Sequence, residues 1–69
     1  MKTSIRNQIS GTVVKITNGG VMSEVVVKTA GGEELAAVVT LSSVKNLKLK
    51  KGSTVVALIK STNVSLGVE

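Results

Sequence analysis

The chain contains no Cys, His, Asp, Pro, Trp, Tyr or Phe. Lacking Cys, it has no disulfide to staple a small fold, and lacking both Cys and His it has lost the usual zinc ligands. A Ser-His-Asp triad and a Cys-His pair are equally out of reach. Glu24, Glu33, Glu34 and Glu69 are the only side-chain carboxylates. The expectation is a protein that is not an enzyme and coordinates no metal directly. Lys60 and Ser61 look like a Ser-Lys pair, but neighbours in an extended chain point to opposite faces, which places the amine badly for activating the hydroxyl.

Long apolar runs are missing as well. The longest uninterrupted one is Leu35 to Val39, far short of the roughly 20 residues that span a bilayer, and no charged leader followed by an apolar stretch begins at Met1. No signal peptide, no membrane span and a cytoplasmic location are therefore expected. The 69 residues make a single domain, residues 1–69. Surface scaling gives about 10,300 Å² for the unfolded chain and about 4,100 Å² for a compact monomer, so only about 60% of the surface would be buried. A core this thin, without disulfide or metal, predicts a homo-oligomer.

What remains is rich in β-branched residues. Val alone accounts for 13 positions, and Val, Ile and Thr together for 24 of 69, a composition that fits pleated, half-buried strands. Asn18-Gly19-Gly20, Ala30-Gly31-Gly32 and Lys51-Gly52 lie between these runs and read as turns; their spacing matches neither a P-loop nor a dinucleotide-binding fingerprint. The first strand is expected over 7–17, with Gly11 marking a bend or bulge. Alternation then gives a second strand over 21–28, with Ser23, Val25 and Val27 on one face, and a third over 34–41. Both faces of the third are apolar, which predicts burial on two sides. Leu41, Val44 and Leu47 recur at helical spacing, so a short helical turn is expected over 42–47. A fourth strand over 53–60 and a fifth over 63–68 complete the series. The fold class is thus all-β: a small five-stranded OB-like Greek-key barrel with one short helical turn between strands 3 and 4.

The net charge of +5 is concentrated locally. Lys45, Lys48, Lys50 and Lys51 fall within seven residues, and elsewhere five basic residues face four acidic ones. A solvated helix end explains this cluster. The alternative is a nucleic-acid-binding OB module using Lys45 to Lys51, but single-strand binders stack bases on aromatic rings, and this chain has none. A subunit that docks on another protein through apolar strand faces is a further reading.

Hydrogen-bond donors are plentiful: 15 Ser and Thr, eight Lys and one Arg. A fully deprotonated oxyanion offers only acceptors, so it calls for donors and no nearby carboxylate. Two stretches combine charge with hydroxyls, residues 3–8 (Thr-Ser-Ile-Arg-Asn-Gln) and residues 60–63 (Lys-Ser-Thr-Asn), and alternation sets Ser4 and Arg6 on one face.

Taken in order, S-I-R-N-Q-I-S-G at 4–11, T-L-S-S-V at 40–44 and K-S-T-N-V at 60–64 closely resemble the molbindins, small molybdate-binding proteins of the molybdenum-pterin-binding family built on a TOBE, OB-like domain. The resemblance spans essentially the whole chain. It implies a storage protein for molybdate, and by near-isosterism tungstate, that assembles as a homohexamer, a trimer of dimers, and holds the anion between subunits. Carried over by position, it implies ligands at Ser4, Arg6, Lys60 and Ser61, with Thr40 and Ser43 approaching from a neighbouring subunit. Ile5 departs from the Ala common in that family; lying on the alternate face, it should alter packing rather than ligand contacts.

Overall fold

A computed structural model describes residues 1–69. Its elements are strand β1 (Asn7–Asn18), strand β2 (Met22–Thr29), strand β3 (Glu34–Thr40), helix α1 (Leu41–Asn46) and strand β4 (Thr54–Ile59), followed by one 3-10 turn over Ser61–Asn63. The strands form one antiparallel sheet in the order β3-β2-β1-β4. Two hairpins thus run in sequence, and the fourth strand returns to lie beside the first, which is the Greek-key connection. No helix is long and apolar enough to cross a membrane.

β1 is long because it serves two partners. Its first half pairs with β4, from Asn7↔Ile59 to Thr12↔Thr54, and its second half with β2, from Gly11↔Thr29 to Asn18↔Ser23. Gly11 takes part in both ladders, where a Cβ would stand 2.5 Å from Val27 Cγ1 and 2.7 Å from the Lys28 carbonyl oxygen. The register slips between Val13 and Lys15. The bulge therefore falls at Val14 and not at Gly11: the glycine permits close approach, and the extra residue keeps both Val13 and Ile16 on the inner face.

The core is small. Val13, Val25, Val27 and Val44 are buried, and Ile16, Val39, Leu49 and Val55 pack against them. Ser23 is the one buried polar residue; its Oγ donates to Asn18 Oδ1 at 2.9 Å, so the hydroxyl closes the β1–β2 turn. In the next turn Gly32 adopts φ +93°, a left-handed conformation open to glycine. The Thr29 hydroxyl donates to Glu33 Oε1 at 2.7 Å. That bond, reinforced by Glu33's own N–H, holds the carboxyl below its ordinary value. Its support for the turn is present above the ordinary carboxylate range and is lost as pH falls through the lowered value.

Helix α1 begins one residue before the expected span. Thr40 is its N-cap, its hydroxyl accepting from the Ser43 N–H at 3.0 Å. Val44 is buried, but Leu47 is 68% exposed, contrary to the helical-face reading. Lys48 adopts φ +53° and turns the chain, so that Leu49 enters the core in place of Leu47.

The expected fifth strand does not form, and the sheet has four strands. A strand exists only with a partner to receive its backbone hydrogen bonds, and residues 64–69 pair with nothing in this chain. The barrel is accordingly an OB-like curled sheet with an open side between the free edges of β3 and β4. The two-sided burial expected of β3 is also absent within one chain, where Val38 is 65% exposed. Along the open side runs a groove of about 530 Å³, walled by β2, β3, β4 and the chain after α1, with a wholly apolar lining.

Candidate functional site

The start of β1 and the end of β4 meet through the Asn7↔Ile59 pair. Residues just outside that pair converge, so Ser4, Ile5 and Arg6 face Lys60, Ser61 and Thr62 across a cleft of about 200 Å³. Ile5 therefore lines the cleft and does not lie on an alternate face, because the chain bends at Ser4 and is not a strand there. Two stretches more than fifty residues apart in sequence thus form one site because an antiparallel ladder places their ends together. Four of the six sequence-predicted residues meet here: Ser4, Arg6, Lys60 and Ser61. Thr62 joins them unpredicted; its signal was the hydroxyl next to Ser61 in the same K-S-T run.

Thr40 and Ser43 lie elsewhere. Thr40 pairs with Met22, beside the Ser23↔Asn18 end of β1, whereas the cleft adjoins Asn7 at the opposite end. At about 3.3 Å per residue, the length of β1 holds these two ends far apart. One chain cannot bring Thr40 to Arg6. The two hydroxyls do cooperate locally, with Thr40 Oγ1 and Ser43 Oγ bonded at 2.8 Å. One of their two hydrogens is used in that bond, and the other is available to an outside acceptor.

The chemistry of the cleft is one-sided. Arg6 offers a planar fork of N–H groups, Lys60 a compact ammonium, and Ser4, Ser61 and Thr62 hydroxyls. No carboxylate lines it. Two backbone acceptors beside it are already engaged: Gln8 Nε2 donates to the Ile5 carbonyl at 2.8 Å, and Asn7 Nδ2 to the Ile59 carbonyl at 3.1 Å. In the run Arg6-Asn7-Gln8, then, one residue supplies charge and the next two occupy carbonyl oxygens that would repel an anion. Such a surface suits a small multivalent anion that only accepts hydrogen bonds.

The cleft is also open to solvent. Arg6, Lys60, Ser61 and Thr62 are all exposed, and charge-assisted hydrogen bonds gain strength only when water is excluded. The lysine cluster belongs to a different region. Lys45, Lys48, Lys50 and Lys51 lie at the end of α1 and in the turn before β4, none of them lining the cleft.

The pattern that defines the TOBE domain matches residues 3–66. A probable molybdenum-pterin-binding protein of Haemophilus influenzae is 46% identical over 69 residues, covering both chains completely. The structure of MopII from Clostridium pasteurianum superposes with a TM-score of 0.92 at 39% identity, covering 97% of this chain and 100% of that one. The cytoplasmic molybdate-binding protein ModG, solved with molybdate bound, superposes with a TM-score of 0.95 at 42% identity; all of this chain is covered, against 49% of ModG.

Proposed function

This chain belongs to the TOBE-domain family, whose members include molybdenum-pterin-binding and molybdate-binding proteins, and from that premise we propose that it is a cytoplasmic, non-catalytic protein that binds and stores molybdate for molybdenum homeostasis. Tungstate, a tetrahedral dianion of nearly the same size, is taken by the same site. The observation that carries this reading is the cleft that Ser4, Arg6, Lys60, Ser61 and Thr62 line with two cations and three hydroxyls, beside Ile5 and without a carboxylate. Arg6 and Lys60 match the two negative charges of the anion, and the hydroxyls take up its remaining lone pairs.

The cleft is completed by a second copy of the chain, which supplies Thr40 and Ser43 and excludes water; the assembly is a homohexamer, a trimer of dimers. Three features support assembly. The chain exposes 5487 Å², whereas surface scaling gives about 4,100 Å² for a compact monomer of this mass. The open side between β3 and β4 is lined by hydrophobic residues alone. The tail carries Val64, Leu66 and Val68, which are 48%, 95% and 102% exposed and alternate as the face of a strand does. The tail of one copy and the open side of another are complementary in chemistry, and each has the unpaired backbone the other needs.

Native mass spectrometry with molybdate tests the whole reading, since subunit number and bound anions are read together. Hexamers carrying molybdate are expected. A stable monomer, or an oligomer that takes up no molybdate at saturating concentration, would contradict it. Leu66→Glu provides a sharper test of the tail. Leu66 is 95% exposed in its own chain, so the substitution should leave the subunit folded. Burying a Leu contributes about 1.5–3 kcal/mol, and replacing it with a charge should weaken association by at least tenfold in sedimentation. An unchanged oligomer would remove the tail from the interface.

A further inference from the structure

Ser61, like Ser4 and Thr62, is an ambiguous member of the cleft, because a hydroxyl can donate or accept. Toward an oxyanion it is useful only as a donor. Which role it takes depends on what occupies its oxygen, and the neighbour placed there is Asn7.

Asn7 Nδ2 lies 3.1 Å from the Ile59 carbonyl oxygen and 3.5 Å from Ser61 Oγ, the second a long contact beyond the roughly 2.7–3.2 Å usual for an N–H···O bond. The orientation of the amide is fixed chemically. A carbonyl only accepts, so the nitrogen of the amide, and not its oxygen, must face Ile59. That nitrogen carries two hydrogens. One goes to the Ile59 carbonyl, which leaves the other for Ser61 Oγ, the next oxygen within reach of the nitrogen. With an amide N–H of Asn7 facing its oxygen, the single hydrogen of Ser61 turns away from Asn7. Ser61 also lines the cleft it shares with Arg6 and Lys60.

We propose that Asn7 is a positioning residue of the anion site, acting through Ser61 by holding its hydroxyl as a donor toward the bound oxyanion. The proposal rests on the oxyanion reading above. Asn7 does not touch the anion; it selects the direction in which Ser61 gives its proton, and so favours fully deprotonated anions. A carboxylate at the same place would reverse that direction, drawing the Ser61 hydrogen to itself.

Asn7 also ties the ends of β1 and β4 together through Ile59, and a double-mutant cycle separates the two roles. Molybdate affinity is measured by calorimetry on the assembled protein for wild type, Asn7→Ala, Ser61→Ala and the double variant. Loss of the Ser61 hydrogen bond to a charged acceptor should weaken binding about tenfold or more, and Asn7→Ala about three- to tenfold. In the Ser61→Ala background, removing Asn7 should cost less than about a further twofold. The near-isosteric Asn7→Asp forms a second cycle should the alanine variant fail to fold. Its added charge acts in both backgrounds, so a larger loss with Ser61 present than in the Ser61→Ala background isolates the effect on the hydroxyl. Losses that simply multiply in both cycles would make Asn7 a strand staple only and overturn the proposal. Wild-type protein that takes up no molybdate would instead overturn the oxyanion reading, and this proposal with it.

Discussion

Replacing Arg6 with alanine is expected to weaken molybdate binding by roughly 10- to 150-fold, the equivalent of about 1.5–3 kcal/mol for a charge-assisted hydrogen-bond partner in a desolvated site. The loss should be confined to the ligand. Arg6 is exposed and makes no side-chain hydrogen bond within the chain, so the fold and the assembly should persist, as circular dichroism and native mass spectrometry would show. Arg6→Lys should fall between wild type and alanine, because it keeps the charge and loses the planar fork. Its calorimetric affinity therefore measures how much of the arginine contribution is geometry. Equal affinity in wild type and Arg6→Ala would remove Arg6 from the site.

The second large effect is structural. Gly11→Ala should destabilise the protein by about 1–3 kcal/mol, the cost of overpacking. Replacing a glycine normally gains about 0.4–1 kcal/mol by restricting the unfolded chain, so the sign is decided by whether the neighbours can yield. They cannot do so easily. The added Cβ would lie 2.5 Å from Val27 Cγ1 and 2.7 Å from the Lys28 carbonyl oxygen; Val27 is 5% exposed in the core, and the carbonyl belongs to the β2 backbone. For a domain of this size, 1 kcal/mol moves Tm by roughly 4–8 °C. A fall of about 4–24 °C, measured at fixed protein concentration because assembly makes Tm concentration-dependent, is expected. A Tm equal to or above that of wild type would show that β1 and β2 separate there without cost.

Most of the fold was legible because strand alternation and turn glycines are local signals. Val25 and Val27 face inward with Ser23, and Val55 packs on the core, as period-two spacing requires. The departures have physical causes that local spacing does not carry. Leu47 lost its place to Leu49 because Lys48 takes a left-handed conformation, which no periodicity announces. The bulge fell at Val14 because the constraint at Gly11 is one of close approach, not of register. The fifth strand failed to form because residues 64–69 alternate correctly but lack a partner in their own chain, and pairing is not a property of one segment.

The site divides in the same way. Ser4, Arg6, Lys60 and Ser61 were legible as two donor-rich stretches, and the β1–β4 register brings them together. Asn7 and Gln8 were visible only as letters in a motif, since their work is to occupy the Ile59 and Ile5 carbonyls, and a sequence does not show which carbonyls will be nearby. Thr40 and Ser43 lie at the other end of the sheet, so the part proposed for them depends wholly on a second subunit.

That dependence is the central claim, and one measurement addresses it directly. Crystals grown with molybdate and measured at the molybdenum absorption edge should give an anomalous peak in the cleft between Arg6 and Lys60 of one subunit, closed by Thr40 and Ser43 of another. Molybdenum found away from Arg6 and Lys60, or bound there with Thr40 and Ser43 of every subunit remote from it, would contradict a donor site shared between copies of the chain.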